Sequence, residues 1–166
     1  MQVAGYTPVL VSASQVVDRL DENWEKLGPA DMAAKAVSKM LASTAAADIG
    51  SYVDRVMVMR TFVDSVPERI KPLLAPFGYS TKFARSVATR AGLDHAAAHY
   101  ATAGGQSPQQ YTARACRAIA SGEATAIVLC GAEAIGTMRA HQRSGETLDW
   151  SENPAGDQSD DGIGLE

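Results

Sequence analysis

Cysteine is scarce in this chain: Cys116 and Cys130 are the only two in 166 residues. Two thiols without metal-ligand spacing exclude a disulfide framework or a cysteine-rich metal site, and they suit a reducing compartment. Long apolar runs are missing too. None approaches the roughly 18 residues of a membrane span. The first residues show no charged stretch followed by a long apolar one, so no signal peptide is expected. Nor is there an excess of positive charge. Fifteen Lys and Arg stand against 19 Asp and Glu, a net charge of -4, which argues against nucleic acid as a partner. Repeats of short period are absent. What is present is an ordinary soluble composition, 46% hydrophobic and 20% charged. The length is that of one domain, able to bury about 70% of its unfolded surface. A cytoplasmic protein with no membrane span is the expectation.

Short apolar runs alternate with amphipathic stretches along the chain. Val9, Leu10 and Val11 predict a first buried strand, and residues 15–27 a loop. Gly28-Pro29 opens a helix with Met32, Ala36, Val37, Met40 and Leu41 on one side. Residues 53–59 read as a second strand. Pro67, Pro72 and Pro76 break the next segment into an irregular excursion with at most a helical turn. Ser80 fits the N-cap of a helix carrying Phe83, Ala84, Val87, Ala88 and Ala91. A third strand at 97–102, a helix at 108–121 and a fourth strand at 126–130 follow. Residues 138–144 suit a helical turn or two, and from Gly145 the chain turns polar. The class is α/β.

The central unit is the most informative. Gly104-Gly105-Gln106 ends the third strand, and Ser107-Pro108-Gln109-Gln110 has the pattern of a capping box. Tyr111, Ala115, Ala118 and Ile119 share a face, Arg114 and Arg117 point away, and Gly122 closes the helix. This strand–turn–helix–strand places a glycine turn at the carboxyl end of a strand, where open α/β sheets bind ligands. Gly104, Gly105, Gln106 and Ser107 are therefore the candidate substrate-binding residues. Gly104 and Gly105 either simply permit the turn or present amides, with the helix dipole, to an acyl oxygen. Ser107 reads as a cap rather than a nucleophile, since no base is placed beside it. Cys116 and Cys130 read as core. His95 and His99 fall on one strand face, as a sheet-edge pair or an incomplete metal set. Arg139 and Arg143, one turn apart, either sit on a solvated helix or face a phosphate.

Gly104-Gly105-Gln106-Ser107-Pro108-Gln109, Ala118-Ile119-Ala120-Ser121-Gly122-Glu123-Ala124 and Val128-Leu129-Cys130-Gly131-Ala132-Glu133-Ala134 together resemble the thiolase superfamily. The likeness is to the thiolase-like branch labelled acetyl-CoA acetyltransferase, related to the sterol-carrier-protein thiolases. It spans most of these residues but corresponds to the N-terminal part of such a protein. The resemblance implies a layered α/β fold with a mixed sheet and a central helix buried between layers. It divides the chain into a thiolase-like domain over residues 1–134 and the start of a loop region over 135–166. It makes Glu133 an anchor for backbone amides, and it suggests a homodimer paired through the strand at 97–102. Leu165-Glu166 reads either as native sequence or as a scar before a tag.

The departures matter as much. The family's nucleophilic cysteine falls on Gly105, and no Gly-His-Pro turn is present. Without a thiolate, an acyl-enzyme at this turn is not expected. The resemblance then implies a protein that acts on or binds acyl-CoA thioesters, as an acyltransferase or carbon–carbon lyase relative, with no separate cofactor. The alternative is a non-catalytic module that binds CoA or a partner chain. An unrelated α/β binding domain is the third reading.

Overall fold

The computed structural model describes residues 6–163. Four strands form one sheet in the order β3-β1-β2-β4: β1 (Val53–Val58), β2 (Ala97–Tyr100), β3 (Ala126–Cys130) and β4 (Gln158–Asp160). All three pairings are parallel. The layered α/β class holds, but the sheet is parallel throughout and not mixed. Each connection returns to the same end of the sheet, so every carboxyl end opens on one side.

Strand alternation separates two cores. Val56, Val58, Ala98 and Tyr100 pack with α1 (Pro29–Ala42) and α3 (Phe83–Arg90). Met57 and Ala101 turn the other way, against Tyr111 of α4 (Ser107–Ala120). In α1 the buried stripe is Ala30, Ala33, Ala34 and Val37, rotated from the expected face; Met40 and Leu41 only flank the core. Small alanines let the helix axis approach the sheet and α3 closely, so the bulkier methionines are left at the rim. The proline-rich excursion holds the four-residue helix α2 (Lys71–Leu74). The helix α5 (Ile135–Ser144) follows β3.

Three expectations are corrected. Val9, Leu10 and Val11 form no strand and are exposed. Their segment is fastened to α1 by side chains, with Ser12 Oγ donating to Met40 O and Ser14 Oγ to Ala36 O. Apolarity alone does not make a strand when no neighbour offers a ladder. Second, α4 is not buried between layers: Ser107, Tyr111, Ala115 and Ala118 face the sheet, while Ala113, Cys116 and Ala120 are exposed. Cys116 is thus a surface thiol, not core. Third, the edge of β2 expected to pair with a second copy is occupied by β4.

That last strand comes from the polar tail and is tied in by side chains. Gln158 Oε1 accepts from the Ala84 and Arg85 amides at the start of α3, 3.0 and 3.4 Å away. Arg85, buried, donates to the carbonyls of Asp157, Asp94 and Ala96. Arg60, stacked on Tyr100 at the end of β1, pairs with Asp160. Ser80 lies short of the helix start; its hydroxyl accepts from the Lys82 amide and is hydrogen-bonded to the Ser86 hydroxyl at 2.7 Å. The cap of α3 is supplied from 74 residues downstream. No helix among the described residues is long and apolar enough to cross a membrane.

Candidate functional site at the carboxyl end of the sheet

Strand β1 lies between β2, reached by the first connection, and β3, reached by the second. The crossovers diverge there, and the crevice beyond the strand ends is where open sheets of this kind bind ligands. A cavity of about 370 Å³ opens at that place, between the residues after β1 and those after β3. This volume falls in the usual range for small-molecule sites. Phe62, Phe83, Met138 and Trp150 supply apolar wall.

One side is built on a buried carboxylate. Asp64, 6% exposed, accepts from Tyr100 Oη at 2.6 Å and pairs with Lys71 Nζ at 3.0 Å. Thr61 joins it through hydroxyl and amide contacts. Burial, and then the charge of Asp64, push the Tyr100 phenol far above its ordinary pKa, so it stays a donor. Burial alone would lower the Lys71 ammonium, but its bonds to Glu68 and Asp64 outweigh that and raise it. Across the crevice, Glu133 accepts from the Phe62 amide at 2.6 Å. It does anchor a backbone amide, in the loop after β1 rather than in the glycine turn. Burial of its carboxyl raises its pKa, against the Phe62 bond that lowers it and with the nearby Asp64 charge that raises it further. Arg90 is neutralised by Asp31 and Glu152, at 2.8 Å each. Arg139 on α5 borders the same space.

The four residues singled out in the sequence lie on a different part of this edge. Gly104, Gly105 and Gln106 are exposed at the turn after β2, and none of the four lines the cavity. Gln106 borders a shallow hollow on the outer face of α4. Gly104 has φ +119°, a conformation that requires glycine, whereas a Cβ on Gly105 would meet nothing within 4 Å. Ser107 is buried but caps nothing in the expected way: it is the first helical residue, and its Oγ donates to Thr102 O at 2.7 Å. The Gly104 carbonyl takes the Ser107 amide instead, closing the turn at 3.1 Å. The capping box therefore does not form.

The sequence reading missed Asp64, Tyr100 and Lys71, because their meeting depends on the β1–β2 register and the excursion between. Two signals were present: a Tyr in an apolar strand needs a partner for its hydroxyl, and Asp64 sits just beyond a strand's carboxyl end. His99 is buried in a polar cluster with Ser159, Asp161 and Arg114, while His95 is exposed. Among the described residues no group of three His, Cys, Asp or Glu is placed to hold a metal ion. Compared with family models, curated proteins and solved structures, the chain finds no match. The resemblance to the thiolase superfamily rests on the sequence words alone.

Proposed function

We propose that this protein binds acyl-CoA thioesters at the carboxyl end of its sheet, as a thiolase-like chain that has lost the covalent nucleophile. The observation that carries this reading is the crevice between the ends of β1 and β3, apolar along Phe62, Phe83, Met138 and Trp150 and bordered by Glu133 and Arg139. An acyl chain suits the apolar wall, and Arg139 is a cation within reach of the phosphates of a CoA carrier. Glu133, with its raised pKa, is the group for proton exchange beside a thioester carbonyl, the step that non-covalent carbon–carbon chemistry needs. Gly105 favours the binding role over acyl transfer, because the open turn offers no side chain to acylate. The two unpaired cysteines suit a cytoplasmic setting.

Trp150 lines the crevice and reports on it. Titration with acetyl-CoA and a longer acyl-CoA is expected to change its fluorescence saturably, with the longer chain binding more tightly. No saturable change up to millimolar ligand would remove the proposal. Digestion after incubation with labelled acyl-CoA is expected to give no acylated peptide over residues 104–114. A label on Ser107 there would show that a nucleophile stands at this turn after all.

A further inference from the structure

We infer that Ser159, His99 and Asp161 form a nucleophile–base–carboxylate relay that hydrolyses activated acyl esters at the outer edge of the sheet. The relay follows from register. His99 on β2 pairs with Ser159 on β4, and Asp161 lies two residues further, so the three side chains share the face covered by α4. Ser159 Oγ stands 2.6 Å from His99 Nδ1, and His99 Nε2 stands 2.9 Å from Asp161 Oδ2. Nε2 faces Asp161, which can only accept, at a shorter distance than Arg114, which can only donate; this assigns the proton to Nε2 and leaves Nδ1 to accept from the serine. The competing acceptor for the Ser159 proton, Ala98 O, is further away at 3.4 Å. Ser159 is an exposed residue and His99 a buried one, so the serine stands at the surface while its base is held.

The carboxylate is fixed from above. Tyr111 Oη donates to Asp161 Oδ2, and Arg114 Nη1 donates to the same oxygen at 2.7 Å. Tyr111 in turn accepts the Thr102 amide at 3.0 Å. Two residues one turn apart on α4 thus orient the acid that orients the histidine. Arg114 Nη1 also lies 3.2 Å from His99 Nε2, which places its charge beside the reacting groups. Asp160 follows the serine. The Asp161 amide takes the inward bond to Tyr100 O, so the Asp160 amide turns to the open outer edge, as a donor for a developing oxyanion.

In the reaction, Ser159 Oγ bonds to the acyl carbon as its proton passes to His99 Nδ1. The ester or thioester bond breaks, and the leaving alcohol or thiol departs with that proton. Water then adds to the acyl-serine with His99 again as base, releasing the carboxylic acid and restoring Ser159. Ser159 and His99 are the catalytic residues, and Asp161 is a positioning residue.

The full chain should be treated with a fluorophosphonate probe and, separately, with p-nitrophenyl acetate. A phosphonyl group is expected on the peptide containing Ser159. Ser159→Ala is expected to abolish it and to lower kcat/KM for the ester by at least about a hundredfold, with an unchanged melting temperature. His99→Gln is expected to lose a similar factor. Asp161→Asn is expected to lower kcat while leaving KM in place. An unlabelled Ser159 in the wild-type chain, or equal hydrolysis by wild type and Ser159→Ala, would overturn the relay and leave the cluster as a clasp for β4. Acyl-CoA binding, read from Trp150, does not depend on Ser159, so the two readings fail separately.

Discussion

At the residue scale, adjacent glycines differ. Gly104 is held at φ +119°, where an added Cβ would also stand 2.5 Å from Gln106 Oε1; Gly105 has free space around it. The amide end of Gln106 can swing away, so the backbone conformation sets the cost. Gly104→Ala is expected to lose about 1–3 kcal/mol in urea unfolding, and Gly105→Ala close to none. Equal costs would mean that the turn is not as described. Gly105→Cys would place a thiol at the start of α4, where the helix dipole favours the thiolate. The two native cysteines make a built-in comparison. Cys116 is exposed, whereas burial pushes the Cys130 thiol up to about 12. A thiol reagent at pH 8 is expected to modify Cys116 alone in the folded chain and both after denaturation. Rapid modification of Cys130 in the native state would contradict its burial.

At the element scale, β4 is short and polar, and side chains add to the ladder that holds it. Gln158 supplies the cap that α3 lacks, so Gln158→Ala is expected to cost about 1 kcal/mol. Asp161 ties the strand's end to His99, Tyr111 and Arg114. Burial would raise its carboxyl, but the bonds from Tyr111 and His99, with the charge of Arg114 beside it, outweigh it and hold it below the ordinary aspartate value. A carboxylate lowered in this way stabilises the fold at pH above its unfolded value of about 3.9. That stabilisation is lost as pH falls through the lower folded value. Strand β4 is therefore expected to loosen in acid before the central strands. Amide exchange measured at pH 3 and pH 6, after correction for intrinsic rates, should show residues 158–161 losing protection first. Uniform loss across the sheet would disprove this order.

At the scale of the whole molecule, the central strand β1 is flanked on both sides, and the chain before α1 is held by side chains, through Ser12 and Ser14 to α1, Trp24 on His141 and Lys26 to Glu146. Residues 6–27 contain no helix or strand, and Val9, Leu10 and Val11 are exposed. Brief proteolysis is expected to cut there first and leave the sheet intact. Strand β4 also covers the β2 edge on which the expected dimer depended. A chain ending at residue 156 would bare that edge and is expected to self-associate at micromolar concentration. Sedimentation of the shortened and full chains checks this. A shortened chain that stays monomeric would show that other parts protect the edge.

Local pattern was enough for β1, β2, β3, the helices α1, α3 and α4 near their observed limits and the left-handed Gly122 that ends α4. These depend on neighbours a few residues away: apolar spacing, a glycine stop, a proline start. The glycine turn after β2 was legible for the same reason. The crevice was not, because Asp64, Tyr100, Lys71 and Glu133 come from separate segments that meet only when β1, β2 and β3 align. The tail was legible only as polar. Its strand has little apolar content to reveal it, and its bonds through Gln158, Asp160 and Asp161 reach back 47 residues or more. Local physics in the sequence therefore determined which segments became helix or strand, and which face α4 buries. Tertiary structure alone decided the parallel order, the exposure of the outer side of α4 and the company of His99, since burial and register join residues whose separation leaves no local trace.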